Sequence, residues 1–178
     1  MRLAFVLIAS TLLLGVADAR ALPRGDRASA ARQITEMPGL QNEVLATINV
    51  LRRSQGLRGL RLSRSLSLAA MGHTVSMAKH GFFEHSGWSG APFWQRLKLS
   101  YPPLRRASWS VGENMVWSSP DLSAPQAIEL WLKSPPHRRV LLEPSWREIG
   151  LGMVHVLGAP GVYHGLDVTI LTADFGVR

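Results

Sequence analysis

Two segments near the end of the chain decide the fold: IGLGMVHV from Ile149 to Val156, and VTILTADF from Val168 to Phe175. In the first segment apolar residues alternate with glycines, and the second is an almost continuous β-rich run. Apolar runs of this length and composition are typical of buried β-strands. The two segments therefore predict a pair of core strands.

Upstream of these strands, two amphipathic helices are predicted. The first has its apolar residues on one stripe, and Gly56 follows as a stop signal. The second begins near residues 63–65 and ends at Gly81. The apolar stripe of the first helix consists of Val44, Leu45, Ile48 and Leu51.

A third helix is predicted from a capping signal. Ser123 is followed by Gln126 three residues later, which is the spacing of a capping box. Two prolines, Pro135-Pro136, stop this helix, and a short helical turn is expected at 137–142. Helices in the first half and strands later favour an α+β or layered α/β/α domain.

Length and composition limit the classes of protein that remain. The chain has 178 residues, of which 46% are apolar, and this suffices for the core of one compact domain. It contains no cysteine, which excludes thiol nucleophiles, cysteine-based metal sites and disulfides. No P-loop, nucleophile elbow or dinucleotide-binding glycine motif is present. A formal net charge of +8 favours anionic partners.

The first residues predict export from the cell. An apolar run from Leu3 to Val16 follows Arg2, is short for a bilayer span, and is followed by Ala17-Asp18-Ala19. This pattern is typical of a cleavable signal peptide, and a retained signal anchor is the alternative. We therefore expect a signal peptide at 1–21, a flexible leader at 22–39, one domain at 40–178, and a secreted or periplasmic location.

A series of motifs within residues 40–176 resembles one known family. Each motif is weak alone, but their number and order are specific. They are Asn49, Gly56-Leu57, Ala69-Ala70-Met71-Gly72-His73, Met77-Ala78, Gly81-Phe82-Phe83-Glu84-His85, Gly112-Glu113-Asn114, Trp131 to His137-Arg138, Glu148-Ile149-Gly150 and Asp174-Phe175-Gly176. The series resembles the bacterial, SCP-like extracellular branch of the CAP superfamily, which comprises the cysteine-rich secretory, antigen 5 and pathogenesis-related proteins. The resemblance implies an α+β fold built as a three-layer α/β/α sandwich, export, and a cleft lined by two histidines and acidic residues.

The resemblance also indicates which residues line the cleft. The histidines would be His85 and His137, and the first glutamate would be Glu113. Many eukaryotic relatives have a second glutamate three residues after the helix tryptophan, where this chain has Ser134. Bacterial relatives instead favour an acid in the Glu-Ile-Gly motif, which makes Glu148 the fourth candidate.

These four residues suit a metal ion. Two imidazoles and two carboxylates are nitrogen and oxygen donors of the kind that bind zinc or another divalent first-row metal. We therefore predict His85, Glu113, His137 and Glu148 as ligands of a divalent metal such as zinc. The alternative is that each histidine donates to a glutamate and that the network only shapes the cleft. His73, on the apolar stripe of the second helix, is expected to be a hydrogen-bonded core residue.

Two functions remain open at this stage. The first is a secreted binding module whose cleft holds a divalent metal or a small ligand. The second is a metal-dependent hydrolase of peptide or cell-wall bonds, with Glu113 as general base. Anionic envelope components, lipid or a small ligand are the expected partners. Nucleic acid is not expected for an exported chain, and we expect a monomer.

Overall fold

The computed structural model of the protein describes residues 33–104 and 108–178. The predicted signal peptide and residues 22–32 of the predicted leader lie outside this part of the chain. No helix among the described residues is long and apolar enough to cross a membrane. The helices are α1 (Pro38–Ser54), α2 (Arg64–His80), α3 (Phe93–Ser100), α4 (Ala124–Lys133) and α5 (Pro135–Leu141), with a 3-10 turn at Gly161–Tyr163. The strands are β1 (Ile34–Glu36), β2 (Arg61–Leu62), β3 (Ser110–Ser118), β4 (Glu148–Val156) and β5 (Val168–Val177).

The strands form one sheet in the order β1-β4-β5-β3, with antiparallel neighbours throughout. The two-residue strand β2 pairs with the start of β4 in parallel. β4 and β5 are the two core strands that the sequence predicts, and nearly all of their residues are buried. Because residues along a strand alternate between faces, each central strand contributes side chains to both sides of the sheet.

Helices cover both faces of the sheet. On one side α1, α4 and α5 bury Ile149 and Leu151 of β4 in a cluster that includes the core tryptophan Trp131. On the other side α2 packs against residues of opposite parity, such as Val154, and α3 packs on α2. This arrangement confirms the predicted α+β, three-layer α/β/α sandwich.

Glycines in β4 let α2 approach the sheet closely. A Cβ atom on Gly150 would lie 2.0 Å from the backbone carbon of Leu66, and one on Gly152 would lie 2.4 Å from the backbone nitrogen of Met71. No side chain fits into that space. The alternation of glycine and apolar residues at the start of β4 therefore has a packing reason, since Gly150 and Gly152 face α2 whereas Ile149 and Leu151 face α1 and α4.

The helix signals in the sequence are confirmed, and the structure adds elements that they did not predict. Ser123 and Gln126 form the capping box of α4, and α4 ends before Pro135. The ordered domain begins before residue 40, since β1 at 34–36 pairs with β4 and α1 starts at Pro38. The segment 82–119, for which the sequence signals above predict no helix or strand, contains α3 and the nine-residue strand β3. In β3, the polar residues Glu113 and Asn114 interrupt the alternation of apolar and polar residues that marks a strand.

Candidate functional site

The register of two adjacent strands places two carboxyl groups side by side. Glu113 on β3 is paired with Asp174 on β5. Met115, two residues from Glu113, packs in the cluster on the α2 side, so strand alternation puts Glu113 on that side as well. Only 4% of Glu113 and none of Asp174 is exposed. Two carboxyl groups in the interior require a compensating partner.

Arg96 of α3 is that partner. Its Nη1 donates to Oδ2 of Asp174 at 3.1 Å, and its Nη2 donates to Oε2 of Glu113. The next residue, Leu97, is fully buried against α2 and anchors the helix there. We refer to Arg96, Glu113 and Asp174 as the Arg96 cluster.

The two carboxyl groups of the Arg96 cluster have opposite shifts in pKa. Burial alone raises the pKa of Glu113, but the hydrogen bond from His85 and the charge of Arg96 outweigh burial and hold this pKa below its usual range. Burial, followed by the nearby charge of Glu113, raises the pKa of Asp174 well above its usual range despite Arg96. The partners of Glu113 therefore favour its ionised form, whereas burial beside that charge disfavours the ionised form of Asp174.

His85 lies in the loop between α2 and α3 and contacts the second oxygen of Glu113. Its Nδ1 donates to Oε1 of Glu113 at 2.7 Å. A carboxylate only accepts hydrogen bonds, so the neutral imidazole carries its proton on Nδ1 and its lone pair on Nε2. The side chain of His85 is 36% exposed. Glu113 therefore fixes the orientation of a histidine whose ring remains accessible to solvent.

His137, on α5, is held by different groups. Its Nδ1 lies 2.8 Å from Oγ of Ser134, and its backbone carbonyl accepts from Nδ2 of Asn114 at 2.9 Å. Burial, and then the charge of His85, lower the pKa of His137. Among the described residues, no hydrogen bond joins the two imidazoles directly.

Adjacent residues of β3, a strand at the edge of the sheet, each contact one histidine. Glu113 accepts from the ring of His85, and Asn114, whose side chain points to the other face, donates to the backbone of His137. We refer to His85, Glu113 and His137 as the histidine site.

Glu148, the fourth predicted ligand, has other partners. It lies at the start of β4, where its Oε2 accepts from the hydroxyl of Tyr101 at 2.5 Å and its Oε1 is 3.8 Å from Nη2 of Arg61. None of its described contacts is with the histidine site. The ring of Tyr101 packs over Gly176, since a Cβ there would lie 2.7 Å from the ring. The carboxylate of Glu148 therefore links Tyr101, at the C-terminal end of α3, to the start of β4.

The four predicted metal ligands have contacts that show how their side chains are arranged. The described residues contain no group of three or more His, Cys, Asp or Glu side chains that could hold a metal ion. Both oxygens of Glu113 are occupied by His85 and Arg96. The four predicted residues are therefore not gathered into one group of metal ligands in the described part of the chain, and metal binding stays a prediction that rests on the two imidazoles. The ring nitrogens that remain for a ligand are Nε2 of His85 and Nε2 of His137.

His73 confirms its prediction as a core residue. It is 2% exposed, and its Nε2 donates to the carbonyl of Glu84 at 2.9 Å. Burial, and then the charge of Arg96, lower the pKa of His73.

Two residues of the site region were not predicted as site residues. Asp174 was part of a motif in the sequence, but nothing there indicated that it faces Glu113 across two strands. Arg96 had no signal, because it is one of many arginines and lies in a segment without clear periodicity. Knowledge of the β3–β5 register would have identified Asp174, whereas Arg96 required the docking of α3.

Comparison with known protein families identifies the class of protein. The model of the family described as CAP, Cysteine-rich secretory protein family, matches residues 45–162. This match covers more than half of the 178 residues, and the chain belongs to the CAP family. The resemblance found in its motifs is thereby confirmed.

Two similar proteins come from Bacillus subtilis. The uncharacterized membrane protein YlbC is 28% identical over 113 residues, a match that covers 64% of this chain and 31% of YlbC. The uncharacterized protein YkwD is 27% identical over 117 residues, covering 64% of this chain and 42% of YkwD. This chain thus matches less than half the length of either relative.

Solved structures are similar in fold. An outer surface protein from Borrelia burgdorferi has a TM-score of 0.64 at 16% identity, covering 82% of this chain and 99% of that one. An extracellular SCP-domain protein from Bacillus anthracis has a TM-score of 0.61 at 22% identity, covering 80% of this chain and 41% of that one. These similarities support the fold assignment.

Proposed function

We propose that this chain is an extracellular CAP-domain binding protein, in which His85 and His137 bind a small ligand or a divalent cation through Nε2. The observation that carries the proposal is the hydrogen bond from Nδ1 of His85 to the buried Glu113. Because this bond fixes the tautomer, Nε2 presents its lone pair at a partly exposed position. In the second imidazole, Oγ of Ser134 lies 2.8 Å from Nδ1 of His137, so Nε2 is again the nitrogen left for a ligand. A hydroxyl both donates and accepts, so this contact does not select one tautomer of His137.

Export is supported by two independent features. The sequence begins with a segment typical of signal peptides. Two structures of similar fold are described as an outer surface protein and as an extracellular protein. The net charge of +8 supports anionic envelope components or lipid head groups as partners at the cell surface.

Binding is favoured over hydrolysis by the state of Glu113. A general base must lie within hydrogen-bond reach of the proton that it takes from its substrate, and the side chain of Glu113 is fully buried. Glu113 instead accepts from His85 on one oxygen and from Arg96 on the other, and its pKa is lowered by these partners against the effect of burial. The metal-dependent hydrolase therefore remains the second prediction. Hydrolysis of peptide or peptidoglycan fragments that requires metal and is lost in Glu113→Gln would support it.

Calorimetric titration with zinc tests the binding proposal. Wild type should bind at neutral pH, and His137→Ala should bind at least about 10-fold more weakly, the smallest loss usually seen when partners of a metal site are removed. Affinity should also fall as the pH drops, because protonated imidazoles lack the lone pair that binds.

The matched control is a second histidine-to-alanine substitution. His73→Ala removes a buried imidazole outside the histidine site, so it should lower stability and leave zinc affinity nearly unchanged. The cation form of the proposal fails if wild type binds no zinc or if His137→Ala binds as tightly as wild type.

A further inference from the structure

The contacts of Arg96 differ from those of an ordinary surface arginine. Its side chain is 19% exposed, and it contacts two carboxyl groups whose side chains are fully buried. The same Nη1 that donates to Asp174 also lies 3.4 Å from the carbonyl of Ala69 on α2. One guanidinium thus links three elements, α2, β3 and β5, to the helix that carries it.

The position of Arg96 relative to His85 is specific. Glu113 has two oxygens, and Arg96 holds one of them while His85 holds the other. A carboxylate held at one oxygen can still rotate about its side-chain bonds, whereas one held at both oxygens has a fixed plane. The direction in which Glu113 accepts from His85 is therefore set by the contact on its opposite oxygen.

Helix α3, which carries Arg96, also contacts His85 directly. Phe93, in the first turn of α3, has its ring centroid 6.2 Å from that of His85, at an interplanar angle of 56°. Leu97, on the following turn, is fully buried against α2. One docked helix therefore supplies both the aromatic neighbour of the imidazole and the cation behind its carboxylate.

We propose that Arg96 is a positioning residue of the histidine site: by clamping Glu113 against Asp174, it fixes the tautomer and orientation of His85. This inference rests on the proposed binding function, because it assigns the group that prepares His85 for a ligand. Arg96 itself makes no described contact with either histidine. Its effect on ligand binding passes through Glu113.

The direct test is the tautomer of His85, measured by ¹⁵N–¹H correlation spectra of the imidazole at a pH where it is neutral. Wild type should show one tautomer with the proton on Nδ1, and Arg96→Gln should populate both tautomers. In the same preparations, zinc affinity of Arg96→Gln should fall about 10- to 100-fold, the usual loss when an outer partner of a ligating histidine is removed.

Val168→Ala is the control, because it removes a fully buried side chain at the first residue of β5, in a cluster that contains no residue of α3. It should lower stability, keep the single His85 tautomer, and bind zinc within about threefold of wild type, which is less than the loss that follows removal of an outer partner. If Arg96 had only a structural role, both variants would show the same tautomers and the same zinc affinity. A single wild-type tautomer in Arg96→Gln, or equal loss of it in Val168→Ala, overturns the proposal.

Two further outcomes are also decisive. If wild type binds no zinc, the cation form of the proposed function fails, and the tautomer of Arg96→Gln still decides the role of Arg96. If Arg96→Gln does not fold, Arg96→Lys takes its place, since one ammonium group cannot donate to two carboxylates with the geometry of a guanidinium fork. A tautomer mixture in Arg96→Lys supports the proposal, and an unchanged single tautomer overturns it.

Discussion

The two sides of the sheet are built differently. The side covered by α1, α4 and α5 buries a continuous apolar cluster around Trp131 and Leu151. The side covered by α2 and α3 divides its apolar residues into two clusters, and the Arg96 cluster and His85 lie on this side as well. Buried charges contribute little net stability, since their desolvation offsets their attraction. The first side therefore supplies a continuous apolar core, and the second side adds a buried polar cluster that holds His85 in place.

The largest effect should come from the close contact between α2 and the sheet. Gly150→Ala would place a Cβ 2.0 Å from the backbone of Leu66, and neither backbone can yield without separating two layers. We expect it to cost more than about 5 kcal/mol and to abolish the fold, as judged by circular dichroism and urea denaturation. On the other face, Leu151→Ala removes a fully buried side chain and should cost only about 2–5 kcal/mol.

Gly72→Ala is the matched control for Gly150→Ala. Gly72 is on the exposed side of α2, and a Cβ there would have no neighbour within 4 Å. Alanine favours a helix over glycine by about 1 kcal/mol, so this variant should be slightly more stable than wild type. The contrast between the two faces would be wrong if Gly150→Ala were as stable as Gly72→Ala.

An intermediate effect is expected from His73, on the α2 side. Its pKa in the folded protein is lowered from 6.5, chiefly by burial, so the unfolded chain takes up a proton first as the pH falls. The stability from this residue is complete above that value and is lost on acidification, by at most about 1.4 kcal/mol per pH unit. His73→Gln, which can still donate to the carbonyl of Glu84, should lose stability less steeply between neutral and mildly acidic pH in urea denaturation. Parallel pH profiles for wild type and variant would contradict this account.

The smallest effect should come from Ser134, which holds His137 by one hydroxyl. Ser134→Ala should change stability by no more than about 0.5 kcal/mol, since the residue is only partly buried. Zinc affinity in calorimetry should fall by at most about 10-fold, less than in Arg96→Gln, because no buried charge is left without its partner. A larger loss of zinc affinity in Ser134→Ala than in Arg96→Gln would show that the support of His137 matters more for binding than the support of His85.

Prediction from sequence worked where a local pattern was sufficient. The capping box at Ser123 and Gln126 marked the start of α4, and the β-rich run at 168–175 marked β5. It did not work for α3, whose eight residues bury a single side chain, Leu97, completely. A helix that short is stabilised by tertiary contacts, and its own sequence carries little signal.

The predicted site shows the same division. His85, Glu113 and His137 were found from motifs, and the contact between His85 and Glu113 is present in the structure. Glu148 was nominated from a motif of the same quality, but its partners are Tyr101 and Arg61. A motif indicates which residues are polar and in what order they occur. It does not show which of these residues are in contact in the folded chain.

The sequence by itself determined the family, the layered fold and the core strands, because each depends on periodicity, capping or a motif in continuous sequence. It also predicted the three residues of the histidine site. Only the tertiary structure decided that Asp174 lies opposite Glu113 and that Arg96 links them. The physical reason is that strand register and helix docking are set by packing across the whole domain. A buried charge finds its partner through that packing, at sequence separations of 17 residues for Glu113 and 78 for Asp174.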